Sequence, residues 1–156
     1  MPFSISFLDT DYLYPYDNPD TPAASGLLTI GDHREGFYSS LYEWSKQSYE
    51  DQWRQALKTL IDGRSKKTAL IVEYVSPAAA TQLEWWAMYR EDENVYLQNQ
   101  LLFYSQLTEP FDLERPFQFL RDRQAINEDG RAISEWCVSL SDVKEFASTF
   151  GVFSSS

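Results

Sequence analysis

The chain has 156 residues, of which 43% are hydrophobic and 16% aromatic, and its formal net charge at pH 7 is −11. A chain of this length buries about two-thirds of the surface that it exposes when unfolded, so the composition excludes a wholly disordered protein. The negative charge disfavours nucleic acid and anionic membranes as partners and favours cationic ones.

The first forty residues combine short strand patterns with turn residues. The run "FSISF" (Phe3–Phe7) predicts a strand. Residues 9–25 contain three prolines, four aspartates and three tyrosines, and we expect residues 1–25 to include a partly irregular arm. After the arm, "GLLTIGD" and "GFYSSL" predict two short strands flanked by glycine.

A helical pattern follows Ser48. Ser48 and Asp51 have the spacing of a capping box, and Gly63 supplies a stop. These signals predict a helix from about Tyr49 to Asp62. The apolar residues that recur at helical spacing between them are Trp53, Ala56, Leu57, Leu60 and Ile61.

The middle of the chain predicts a strand and then a hairpin. The strand is "KTALIVEYV", which ends at Pro77. In the hairpin, "EWWAMYR" and "VYLQNQLLF" flank the polar turn "EDEN". Four apolar residues of the second run share one parity and predict one buried face: Val95, Leu97, Leu101 and Phe103.

The last third predicts two helices and one strand. Pro116 suits the first turn of a short helix from about Arg115 to Asp122. The run "AISEWCVSL" predicts a strand, and Ser141 predicts the cap of a final helix. The apolar stripe of that helix is Val143, Phe146, Ala147 and Phe150, and we expect residues 152–156 to fray.

This order of elements predicts the α+β class. Strands and helices do not alternate regularly, and no linker long enough to divide the chain is present. We therefore expect one domain, residues 1–156, in which a twisted, mostly antiparallel β-sheet is covered by two or three helices.

Residues suited to catalysis or metal binding are scarce. His33 is the only histidine and lies in the polar run "GDHRE", where we expect it to be solvated. Cys137 is the only cysteine and is predicted to be buried in an apolar strand, so zinc and an internal disulfide are disfavoured. Asp9 and Asp11 have the opening spacing of a calcium loop, but Leu13 and Tyr14 break that pattern. We predict no cofactor, no metal and no enzymatic activity.

The chain also lacks the signals of secretion and membrane insertion. No apolar run approaches the roughly 20 residues that a membrane-spanning helix needs, and the N-terminus has no basic leader. Together with the single cysteine, these features predict a cytoplasmic protein without a membrane partner.

Glu135 stands in the predicted strand between Ser134 and Trp136. An unpaired buried charge costs several kcal/mol, so this carboxylate needs a partner. Arg121 and Arg123 lie just upstream and are the expected donors. We favour this structural role over that of a catalytic acid, which requires a perturbed pKa in a cleft.

A series of segments resembles the immunity proteins of bacterial contact-dependent growth inhibition, the CdiI family. The segments run from Leu41 to Phe150 in this order: "LYEWSKQSYEDQW", "KKTALIVEY", "WAMYREDENVYLQNQLLF", "FQFLRDR" and "GRAISEWCVSLSDVKEF". The resemblance implies a small cytoplasmic protein that binds the toxic C-terminal domain of a CdiA protein and neutralises it. Such toxins are often nucleases, whose substrate is a polyanion and whose working surface tends to be basic.

Two acidic patches are predicted to contact the toxin, although the resemblance itself carries over no contact residues. The "arm patch" combines tyrosines with acids and consists of Asp9, Asp11, Tyr12, Tyr14, Tyr16 and Asp17. The "tip patch" is the hairpin turn and consists of Glu91, Asp92 and Glu93. The alternative for each patch is an ordinary solvated arm or turn. The residues predicted to be scaffold are Trp53, Trp86, Arg123, Glu135 and Trp136.

Two other classes of function stay open from the sequence alone. A twisted sheet with exposed aromatic residues serves in some proteins as a stacking platform for single-stranded nucleic acid, although the charge of this chain argues against it. A hydrolase with a pair of Glu or Asp residues is the third hypothesis, and it requires two close carboxylates in a deep cleft.

Overall fold

A computed structural model describes residues 2–13 and 22–152, with backbone only for residues 9–13. The strands are β1 Phe3–Leu13, β2 Pro22–Ile30, β3 His33–Ser40, β4 Lys67–Glu73, β5 Gln82–Glu91, β6 Asn94–Phe103 and β7 Trp136–Ser139. The α-helices are α1 Lys46–Ile61 and α2 Leu140–Thr149, and two short 3₁₀ helices span Tyr104–Gln106 and Pro116–Phe119. The strands form two antiparallel sheets, β1-β2-β3 and β4-β5-β6-β7. The predicted α+β class is confirmed, with two sheets where the sequence indicated one.

Strand β1 is longer than the sequence indicated. The predicted strand ended at Phe7, but after a register shift the backbone pairs again with β2, from Asp11 opposite Ala24 to Leu13 opposite Pro22. The stretch from Asp9 to Leu13 therefore belongs to the sheet and not to the irregular arm. Residues 14–21 lie outside the described residues.

Helix α1 begins three residues before its predicted start. The N-cap is Ser45, whose hydroxyl accepts a hydrogen bond from the amide of Ser48. The predicted stop is present, since Gly63 follows the helix with a positive φ of 75°. The buried side chains of the helix are Tyr49, Trp53, Ala56, Leu57 and Leu60.

Side chains of α1 close the outer edge of β4. The Gln52 side-chain amide donates to the carbonyl of Ala69, and its oxygen accepts from the amide of Ile71, both at 2.8 Å. The indole N–H of Trp53 donates to the Ile71 carbonyl at 2.7 Å. These bonds satisfy backbone groups that an edge strand otherwise presents to other chains.

The buried face of β6 is not the face predicted along its whole length. Val95 and Leu97 are buried as expected, but Leu101 and Phe103 are 46% and 38% exposed. The reason is that different segments cover the two faces. Val95 and Leu97 face the hydrophobic core near the start of the strand, and the chain between residues 104 and 135, the covering segment, covers the other face. The polar residues that this second covering buries are Gln98 and Gln100.

The predicted helix from Arg115 to Asp122 is wrong in length and type. Only Pro116–Phe119 is helical, and it is a 3₁₀ turn. Beyond it the backbone carbonyls bond to side chains of the sheet: the carbonyl of Arg121 accepts from the Tyr89 hydroxyl at 2.8 Å. A chain held in this way lies extended across the sheet.

The C-terminal elements are also shifted. Strand β7 has four residues and starts at Trp136, and Ser139, not Ser141, caps α2 by accepting from the amide of Asp142. Val152, expected in the frayed tail, is buried, and residues 153–156 are not described. Within the described residues, neither α-helix combines the length and apolar character that a membrane span needs.

Candidate functional site

The arm patch falls largely outside the described side chains. Asp9, Asp11 and Tyr12 lie in the β1 backbone, where Tyr12 is opposite Ala23 of β2. The remaining members, Tyr14, Tyr16 and Asp17, are among the residues that are not described. The role of this patch stays a prediction.

The tip patch forms the turn between β5 and β6. Glu91 is opposite Asn94, and Asp92 has a positive φ of 55°, a conformation that Asp tolerates in tight turns. All three acidic side chains of the patch are exposed. Glu91 binds a guanidinium nitrogen of Arg123 at 2.8 Å, so part of the negative charge of the patch is compensated. The charges of Asp92 and Glu93 project from the end of the hairpin.

The tip patch and the described backbone of Asp11 lie toward different ends of β4. The tip follows Arg90, whose amide bonds to the carbonyl of Lys66 just before β4. The backbone of Asp11 lies two strands from the other end of β4: Asp11 is opposite Ala24, Ala24 is opposite Ser39, and the Ser39 hydroxyl donates to the carbonyl of Val72. At about 3.3 Å per residue, Lys67 to Val72 spans roughly 17 Å. The described backbone therefore separates Asp11 from the tip patch.

Glu135 has the arginine partner that the sequence predicts. Arg123 donates from Nε and Nη2 to the two carboxylate oxygens at 2.7 and 2.6 Å. The Gln98 amide donates to the same carboxylate at 2.7 Å. The hydrogen bonds from Arg123 are the largest cause that holds the pKa of Glu135 below its ordinary value. A carboxylate that stays ionised in this way is suited to clamping and unsuited to protonating a substrate.

A chain of polar groups extends from this ion pair under the covering segment. Gln98 accepts from the Gln100 amide at 3.1 Å, and that amide also donates to the Tyr89 hydroxyl at 3.0 Å. Burial raises the pKa of Tyr89. The Arg123 guanidinium lies 3.8 Å from the centroid of the Tyr96 ring. Burial of the two glutamines could not be predicted from the sequence, because polar residues at alternate positions of a strand normally mark its solvent face.

The predicted environments of Cys137 and His33 are wrong. Cys137 is exposed, because only one face of the short strand β7 is packed. His33 is not simply solvated: its ring stacks on Trp136 with centroids 4.2 Å apart, and it contacts Glu35 at 3.2 Å. Neither residue has the partners of an activated nucleophile or base.

The two remaining tryptophans predicted as scaffold lie in the core. Trp53 and Trp86 are at most 1% exposed, and the Trp86 ring packs against that of Trp136 at 5.5 Å. Among the described residues, no group of three His, Cys, Asp or Glu side chains has the arrangement of a metal site. The surface features that this fold offers are charged turns, strand edges and grooves, which suit recognition of another molecule.

Comparisons with known proteins agree on one family. A model of the CdiI N-terminal domain matches residues 39–146. The Immunity protein CdiI of Enterobacter cloacae subsp. cloacae is 34% identical over 121 residues, which cover 76% of this chain and 81% of that protein. A solved CdiA-CT/CdiI toxin and immunity complex from Enterobacter cloacae contains a chain that superimposes with a TM-score of 0.84 at 25% identity, over 96% of this chain and 98% of that one.

Proposed function

Because this chain belongs to the CdiI family of immunity proteins, we propose that it binds the toxic C-terminal domain of a cognate CdiA protein and neutralises it in the cytoplasm. The observation that supports this proposal most directly is the structural match, over 96% of the chain, to a protein solved as part of a toxin and immunity complex. The toxin is proposed to be a nuclease, and the mechanism to be occlusion of its basic active or substrate-binding surface.

The distribution of charge supports this mechanism. No Lys or Arg occurs between Lys67 and Arg90, or between Arg90 and Arg115, so the β5–β6 hairpin carries a single cation. The guanidinium of that residue, Arg90, donates hydrogen bonds to the carbonyls of Leu60 and Ile61 at the end of α1. The hairpin has four acids, Glu84, Glu91, Asp92 and Glu93, against this one cation, so its net charge is negative. Opposite fields on two partners accelerate their encounter.

The proposed contact residues are the arm patch and the tip patch. In the tip patch, Asp92 and Glu93 are the stronger members, since Glu91 already holds Arg123. Because the backbone of Asp11 is separated from the tip, we propose that one toxin domain either spans this distance or uses one patch only. An interface of standard size has about 20–30 residues on each side, and such an interface is wide enough to span both.

We propose that neutralisation involves no catalysis by this chain. Glu135 was the acid singled out by the sequence, and its lowered pKa disfavours a general-acid role. Through Gln98 it ties the covering segment to β6, and through Arg123 it holds two parts of that segment together. Its role is therefore to hold the scaffold that presents the surface.

Co-expression tests this function. The chain is produced in cells together with the C-terminal domain of the CdiA protein encoded immediately upstream of its gene, and growth and the integrity of cellular RNA and DNA are followed. We expect growth to be restored and nucleic acids to stay intact. Persistent growth arrest with both proteins present would contradict the proposal. Salt-dependent binding of labelled oligonucleotides by the chain alone would favour the single-stranded nucleic-acid-binding alternative.

A further inference from the structure

The two edges of the sheet β4-β5-β6-β7 differ in how they are closed. The β4 edge is bonded by side chains of α1. At the other edge, β7 pairs with β6 only from Asn94 to Leu97. From Asn99 to Phe103, β6 has β5 as its ladder partner on one side, and the described part of the chain supplies no ladder partner on the other. Such a stretch presents N–H and C=O groups that can pair with an added strand.

A groove runs beside this open stretch. Its volume is about 190 Å³. On the strand its lining includes Gln100, Leu101 and Phe103, and on the opposite side it includes Leu107, Phe119 and Arg121. Leu101 and Phe103 are among the few large apolar side chains that the described surface leaves exposed. An open edge and exposed apolar residues at alternate positions are the two features that strand addition uses.

The chemistry of the edge favours a cationic occupant. Leu101 is directly opposite Glu84 in the ladder, so both side chains lie on the same face of the sheet. The Glu84 carboxylate accepts a hydrogen bond from the Asn99 amide at 2.8 Å and is held beside the open stretch. A second copy of this chain fits poorly, because each copy brings a net charge of −11 and the same glutamate to the contact.

We propose that an extended segment of the toxin domain adds to β6 along Asn99–Phe103, in line with β7, with apolar side chains against Leu101 and Phe103 and a Lys or Arg near Glu84. This inference rests on the proposed function, because it names the surface by which the same partner is held. Main-chain hydrogen bonds supply affinity at such an edge, and the alternating side chains supply specificity.

Amide hydrogen exchange tests the proposal on the complex. The probe is the C-terminal domain of the CdiA protein encoded immediately upstream, mixed with the chain and compared with the free chain. Outward-facing amides of Asn99–Phe103 exchange rapidly when unpaired, and we expect on the order of tenfold slower exchange or more in the complex. A stable complex that leaves this stretch unprotected overturns the edge proposal and leaves the proposed function standing. Failure to form any complex overturns the proposed function itself.

A matched pair of variants adds an affinity measurement. Leu101→Lys places a charge on the open edge, and Leu113→Lys places the same charge at a similarly exposed site outside this groove (46% and 40% exposed). We expect Leu101→Lys to weaken toxin binding by about tenfold or more and Leu113→Lys to change it little. Equal effects of the two variants, or a free chain that sediments as a dimer with the stretch already protected, would contradict the proposal.

Discussion

The ion pair between Arg123 and Glu135 should contribute measurably to folding. It joins two parts of the covering segment, at Arg123 and at Glu135 just before β7, through two short hydrogen bonds, and the side chains are 32% and 19% exposed. Fully exposed pairs contribute about 0–1 kcal/mol, whereas breaking a buried pair costs about 3–5 kcal/mol. For a partly exposed bidentate pair we expect a coupling free energy of about 1.5 kcal/mol.

A double-mutant cycle measures this coupling. Arg123→Ala, Glu135→Ala and the double variant are unfolded in urea, and their free energies of unfolding are compared with that of the parent chain. Because Glu135 also loses its bond to Gln98, the single variant Glu135→Ala should cost about 2–3 kcal/mol. At about 2–4 °C per kcal/mol for a chain of this size, its melting temperature should fall by roughly 4–12 °C.

The control is the salt bridge between Lys67 and Asp122. Its N–O distance is also short, 2.8 Å, but the Asp122 side chain is 92% exposed. The same cycle should give a coupling near zero there, because solvent screens an exposed pair. If the Arg123–Glu135 coupling is no larger than that of the control, the reasoning from burial and bidentate geometry is wrong.

Three further predictions concern pH, the β4 edge and a close backbone approach. The pKa of Glu135 is lower in the folded chain than its ordinary value of 4.5, so its contribution to stability is present above that value and is lost as pH falls through the folded pKa. Glu135→Ala should therefore make the free energy of unfolding depend less on pH in the acid range. An unchanged pH dependence would refute this. Gln52→Ala should lower the free energy of unfolding in urea by about 1–2 kcal/mol, because two backbone groups of β4 lose their hydrogen-bond partners. Gln55→Ala should lower it little, since Gln55 bonds only to the Thr59 side chain. Equal losses for the two variants would contradict the role of Gln52 in closing the β4 edge. Gly26→Ala should lower the free energy of unfolding by more than about 1 kcal/mol, because the added Cβ would overlap the Phe37 ring of β3. At Gly36 an added Cβ has room, so Gly36→Ala should change stability less. Equal melting temperatures for the two variants would show that the ring moves aside.

The local spacing of apolar residues predicted most of the helices and strands that bury only one face. The buried stripe of α1 follows from spacing, because helical geometry places Trp53 and Leu57 on one face wherever the helix lies. The hairpin was predicted from two extended runs that flank a polar turn, a pattern that likewise depends only on residues close in sequence. Spacing alone does not identify the N-cap, because Ser45 and Ser48 are both good N-cap residues and the helix uses Ser45.

Burial that depends on remote segments could not be predicted. Leu101 was expected to be buried and Gln100 exposed, and the reverse holds because the chain from 104 to 135 crosses one face of β6 and not the other. Cys137 is exposed for a related reason, since little covers its side of β7. The sequence could predict that the hairpin tip is acidic and exposed, but not that Arg123 neutralises part of it or that β6 has an open edge.

The most direct test of the central claim measures the affinity of the upstream-encoded CdiA C-terminal domain for charge-reversed variants by titration calorimetry. Asp92→Lys with Glu93→Lys reverses the tip patch, and Asp9→Lys with Asp11→Lys reverses part of the arm patch. The control, Glu128→Lys with Asp129→Lys, makes the same change in net charge at another exposed turn. We predict that reversing at least one patch weakens binding by about tenfold or more while the control binds within about twofold of the parent chain. Equal affinity for the parent and both patch variants would contradict recognition through the acidic patches.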